Sequence, residues 1–129
     1  MNMLHSLPTT EYQQRRQQLM EQLPDNSVVM VFAAAVSVRN GDVEHAYRQD
    51  SYFYYLTGFV EPESVLLLRR LDNQIDSLLL CREKNPLQET WHGRRLGVEA
   101  APEALQLNAA KPISELESVL DSWLDGADY

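Results

Sequence analysis

Val65-Leu66-Leu67-Leu68-Arg69 and Ile75-Asp76-Ser77-Leu78-Leu79-Leu80 stand on either side of Asp72-Asn73, and two apolar runs flanking a pair of turn-forming residues read as a β-hairpin. Upstream, Ser27-Val28-Val29-Met30-Val31-Phe32-Ala33 is a nearly unbroken apolar run. It predicts a strand buried on both faces and is the best candidate for the centre of a sheet that also holds the hairpin.

Helical patterns surround these strands. Thr10 and Gln13 have the spacing of a capping box, after which Tyr12, Leu19, Met20 and Leu23 share one face that Arg16 interrupts. Pro24-Asp25-Asn26 ends that helix as a turn. Residues 37–48 have no clean period and predict a loop with its tip at Asn40-Gly41. Tyr52-Phe53-Tyr54-Tyr55-Leu56, between Asp50-Ser51 and Thr57-Gly58, suits a short capped helix or an irregular strand, and periodicity does not separate the two. Asn85-Pro86 is a good helix start, with the helix ending by Gly93. A further helix is expected over residues 99–105, with Pro102 near its first turn. Ser114 and Glu117 suggest a second capping box, followed by Leu116, Val119, Leu120 and Trp123 at helical spacing up to Gly126. Ala127-Asp128-Tyr129 then reads as the entry to another element, so the chain is expected to be one domain of a longer protein.

Composition excludes several classes. In 129 residues, an apolar fraction of 44% and a charged fraction of 23% are those of an ordinary globular domain. No apolar stretch approaches the roughly 20 residues that span a bilayer, and the first residues lack the basic and apolar regions of a secretory leader. A cytoplasmic location without membrane attachment is expected. A formal net charge of −8 disfavours nucleic acid, because Arg15-Arg16, Arg69-Arg70 and Arg94-Arg95 are isolated pairs that make no basic stripe in sequence. Cys81 is the only cysteine, which rules out an internal disulfide; within Leu78-Leu79-Leu80-Cys81 it reads as a buried, inert thiol.

The residues show no catalytic motif of their own. His5, His45 and His92 are scattered, without a metal-binding spacing, so no metal site is expected. There is no nucleophile elbow and no Gly-rich phosphate loop. Glu61 and Glu63 bracket Pro62, and a solvated turn is favoured there over an acid–base pair. The most unusual segment is Trp91-His92-Gly93-Arg94-Arg95-Leu96-Gly97. Its residues permit two readings: a surface that presents Trp91 to a partner or substrate, or a helix end with a core tryptophan overlaid by arginine carbons, which the residue types alone favour. Arg48 beside the aromatics of residues 52–55 poses the same choice.

Tyr47-Arg48-Gln49-Asp50-Ser51-Tyr52-Phe53-Tyr54-Tyr55-Leu56-Thr57-Gly58-Phe59, followed by Glu61-Pro62-Glu63, resembles the signature of aminopeptidase P amino-terminal domains. Glu89-Thr90-Trp91-His92-Gly93-Arg94-Arg95-Leu96-Gly97 resembles the same family's tryptophan segment, with His92 where bacterial members commonly carry another aromatic. The likeness runs from about Thr10 to the end of the chain.

The resemblance implies an α/β domain with a mixed β-sheet flanked by helices, of the creatinase/prolidase amino-terminal (ribonuclease H-like) type. It implies one domain over residues 1–129, ordered from about residue 9, preceding a pita-bread catalytic domain absent from this chain. That second domain would hold two divalent ions, usually manganese, and release the amino-terminal residue of peptides with proline second. No catalytic residue is then expected here. The domain would serve assembly, as a homo-oligomer suspected to be a tetramer, and would cover the active site. Trp91, supported by Arg94 and Arg95, would reach a neighbouring subunit's substrate cleft. The resemblance leaves two other readings open, the corresponding domain of an Xaa-Pro dipeptidase and a stand-alone binding module.

Overall fold

The structure, a computed structural model, describes residues 8–34, 49–92 and 94–125. Its frame is the expected hairpin. β2 (Val65–Leu71) and β3 (Gln74–Cys81) pair antiparallel, from Val65 opposite Leu80 to Leu71 opposite Gln74. Asp72 and Asn73 between them hold φ of 52° and 63°. Positive φ at both central residues is the primed turn whose twist matches that of antiparallel strands.

β1 (Ser27–Phe32) adds antiparallel to β2, and β4 (Ala109–Pro112) adds parallel to β3, giving a mixed sheet in the order β1-β2-β3-β4. The expectation that residues 27–33 form the central strand is therefore corrected. Among the described residues β1 has one strand neighbour, and Met30 and Phe32 are exposed. The strands buried on both faces are β2 and β3, whose Leu66, Leu67, Leu68, Leu79 and Leu80 are fully covered. An apolar run marks a strand, but the cover of its faces and its position in a sheet depend on which partners arrive from elsewhere in the chain. β4 was not anticipated, because Ala-Ala-Lys-Pro carries neither alternation nor branched residues.

Helices cover both faces of this sheet. On one face Leu66, Leu68, Leu79 and Cys81 form a cluster with Met20 from α1 (Thr9–Glu21) and with Phe53 and Leu56 from α2 (Ser51–Thr57). On the other, Val65, Leu67, Leu78 and Leu80 pack against Val119, Leu120 and Trp123 of α5 (Leu116–Leu124), confirming the helical spacing of those side chains. Trp123 is partly buried, with the Arg69 guanidinium 4.5 Å from its ring centre. Two shorter helices, α3 (Pro86–His92) and α4 (Ala101–Leu105), lie in the crossover that the parallel β3–β4 pairing requires.

The helix starts differ from expectation at two places. Pro8, not Thr10, precedes α1, and no side chain caps its amides, so the Thr10–Gln13 box does not form. Ser114 sits inside a 3-10 turn, Ile113–Glu115, which leads into α5 without a side-chain cap. The aromatic block resolves as a helix because Asp50 accepts a bond from the Phe53 amide at 2.9 Å and Gly58 ends the helix at φ 68°. The expected loop tip at Asn40-Gly41, and the chain from Gly126 on, lie outside the described residues.

Candidate functional site

The tryptophan segment begins where β3 ends. Asn85 caps α3 as expected, its side-chain oxygen accepting the Gln88 amide at 3.2 Å, with Pro86 in the first turn. One turn further, the Glu89 carboxylate folds back. Its Oε1 accepts from Lys84 Nζ at 2.9 Å and from the Arg95 amide at 3.1 Å, and its Oε2 accepts from the Asn85 amide at 2.9 Å. One side chain thereby ties together the exit from β3, the start of α3 and the chain beyond that helix. The Arg95 amide, then Lys84, hold the Glu89 carboxyl down to about 2 against the burial that opposes them.

Further bonds fix the far side of the segment. Lys84 Nζ donates to the Arg95 carbonyl at 2.8 Å, and Arg95 Nη1 donates to the Glu83 carbonyl at 3.1 Å. The Leu96 amide donates to Glu61 Oε2 at 2.7 Å, while Glu61 Oε1 accepts from Arg82 at 3.3 Å. Glu61 is thus a tether and not the solvated turn residue that Glu-Pro-Glu suggested; its side chain is only 12% exposed. Gly97 follows at φ 84°, with Lys84 packed where a Cβ would stand.

The two arginines are not equivalent. Arg95 is committed to the scaffold through its amide, carbonyl and guanidinium. Arg94 is exposed, with no hydrogen bond or ion pair among the described residues. The side chains of Trp91 and His92, and Gly93, lie outside what the structure describes, as do His5, His45, Tyr47 and Arg48. Beside the segment, at the carboxyl ends of the parallel strands β3 and β4, a cavity of about 370 Å³ is lined by Arg82, Lys84, Asn85, Arg95 and Ser114 among others.

The described part of the aromatic block is a packing device. Gln49 Oε1 accepts from the Ala34 and Asp50 amides at 2.8 and 2.9 Å, and its Nε2 donates to the carbonyls of Phe59 and Glu61 at 3.3 and 3.0 Å. It links the end of β1 to α2 and to the Glu61 tether. Thr57 closes α2 by donating to the Phe53 carbonyl at 2.8 Å and accepting from the Phe59 amide at 2.9 Å.

None of this is reaction chemistry. Among the described residues no three His, Cys, Asp or Glu side chains converge to hold a metal ion. No donor set there fits a divalent ion, so no step of a metal-dependent reaction is derived through these residues. Cys81 is fully buried, and desolvation, with Glu61 adding and Arg82 opposing, pushes its thiol up to about 11. It stays a protonated packing group. No helix among the described residues is long and apolar enough to cross a membrane.

The profile of the aminopeptidase P N-terminal domain matches residues 12–129. The chain belongs to the aminopeptidase P N-terminal domain family. This aminopeptidase P domain is 44% identical over 114 residues to the Xaa-Pro aminopeptidase of Haemophilus influenzae, covering 88% of this chain and 26% of that protein. It is also 44% identical over 119 residues to the Xaa-Pro aminopeptidase of Escherichia coli, covering 92% of this chain and 27% of that one. In structure it is similar to zinc-substituted E. coli aminopeptidase P in complex with product, with a TM-score of 0.91 and 43% identity over 95% of this chain and 28% of that chain. The aminopeptidase P domain described here therefore spans about a quarter of the length of these relatives. The mixed sheet between helical layers is the fold that the signature residues implied.

Proposed function

We propose that the chain is the non-catalytic amino-terminal domain of a metal-dependent Xaa-Pro aminopeptidase, which releases the first residue of peptides that have proline second. The observation that carries this reading is the 44% identity to two bacterial proteins of that name, continuous over most of the chain and accompanied by the same fold. Those names favour the aminopeptidase over the dipeptidase reading. In this proposal residues 1–129 form one domain, a pita-bread catalytic domain follows, and two divalent ions, manganese in the expected case, are held there. Assembly into a cytoplasmic homo-tetramer belongs to the same proposal.

The domain's own contribution is to cover and shape the substrate cleft. The tryptophan segment supplies the contact, with Trp91 and Arg94 meeting peptide residues beyond the proline across a subunit boundary and Arg95 holding the segment in shape. The commitment of Arg95 to the Glu89 carboxylate, the Lys84 ammonium and the Glu83 carbonyl, and the exposure of Arg94, support that division of roles. The test is peptide digestion by the intact protein that carries this domain. Release of the first residue only when proline is second, abolished by a chelator and restored by a divalent ion, is expected. Release regardless of proline, or no release with added metal, contradicts the assignment.

A further inference from the structure

The proposed contact lies in a stretch whose geometry depends on one carboxylate. Glu89 is the shared acceptor for groups on both sides of α3: Lys84 and the Asn85 amide before it, and the Arg95 amide after it. Its side chain is only 10% exposed, so these donors, rather than water, satisfy most of its lone-pair capacity. Charge-assisted bonds of this kind are shorter and stronger than neutral ones. Glu61 grips the adjacent Leu96 amide, so the consecutive amides of residues 95 and 96 are held by carboxylates from two separate parts of the chain. Nothing else among the described residues bonds the Arg95 amide.

We propose that Glu89 is a positioning residue: by clamping the Arg95 amide back onto the start of α3, it sets the geometry in which the end of that helix and Arg94 are presented to a long peptide substrate. The substrate half of this inference rests on the proposed role of the tryptophan segment; the clamp itself does not. Glu89→Gln keeps the size of the side chain and one carbonyl acceptor, but replaces an oxygen that accepts by an amide that donates. In the intact protein, hydrogen exchange at the Arg95 amide should accelerate at least about tenfold, with exchange in β2 and β3 unchanged. Activity on longer peptides should fall about tenfold in kcat/KM, mainly through KM, with tripeptide turnover kept.

The decisive comparison combines variants. If Glu89 acts by positioning the segment, adding Glu89→Gln to a Trp91→Ala, Arg94→Ala protein produces no further loss on longer peptides. Losses that multiply in the combined variant overturn the inference, because they mean Glu89 acts on the fold at large. Unchanged exchange at Arg95 in Glu89→Gln also overturns it. Accelerated exchange together with a Trp91→Ala, Arg94→Ala protein that handles long peptides normally leaves the clamp standing and removes the substrate role of the segment.

Discussion

Arg16 occupies the position on α1 where an apolar face would place a leucine, and it is 3% exposed. Its guanidinium donates to the carbonyls of Leu56 at 2.8 Å, Leu105 at 3.0 Å and Gln106 at 2.9 Å. Those carbonyls lie at the carboxyl ends of α2 and α4, where backbone acceptors lack partners within their own helix and a cation is favoured by the helix dipole. Burial pushes the guanidinium down to about 10, which leaves it charged at neutral pH. Arg16→Met should therefore destabilise the protein by roughly 3 kcal/mol, since it strands buried acceptors without opening a large cavity. Arg16→Lys should recover little of that, because a single ammonium cannot replace a planar fork spread over two helix ends. Denaturant midpoints of the two variants check this; a loss within 0.5 kcal/mol for Arg16→Met, about the level of a neutral surface substitution, contradicts it.

At the scale of the element, α3 and the residues beyond it depend on the ionisation of Glu89. Its carboxyl is held to about 2 in the folded protein against an ordinary 4.5. A carboxyl whose value falls on folding contributes stability that is complete above the ordinary value and lost as pH drops through the folded one. The stability that the clamp contributes should accordingly be complete from neutral pH down to about 5 and be lost between 4.5 and 2, while in the folded protein the carboxylate itself stays ionised until pH approaches 2. The carboxyl carbon resonance of Glu89 reports this directly: a midpoint near 2 is expected, and one near 4.5 means the clamp is absent. α2 shows how local rules settle an element that periodicity cannot. Asp50 supplies the cap, and at Gly58 an added Cβ would stand 2.7 Å from the Tyr12 ring at a φ of 68°. Those two residues convert an ambiguous aromatic run into a helix that stops on time.

At the scale of the whole molecule, the hairpin was legible because the turn residues and the two runs beside them encode the same local pairing. The rest of the sheet was not, because its assembly is long-range. β1 meets β2 across more than thirty intervening residues and β4 has no strand signature, so neither the position of the first, which among the described residues has β2 alone beside it, nor the existence of the second is written in its own segment. The site divides in the same way. The tryptophan segment stood out by composition, but the tethering roles of Glu61 and Glu89 did not, since they depend on where the chain returns. Arg16 left a usable signal, a charged residue in the middle of an otherwise apolar face.

In the proposed role, this domain acts on which peptides reach the reaction, and not on the bond that breaks. The kcat/KM of the intact Trp91→Ala protein, measured against peptide length on substrates with proline second, tests it most directly. A loss of about tenfold on longer peptides with tripeptide turnover unchanged is the predicted result. Equal values for wild type and variant at every length, or an equal loss at every length, would contradict it.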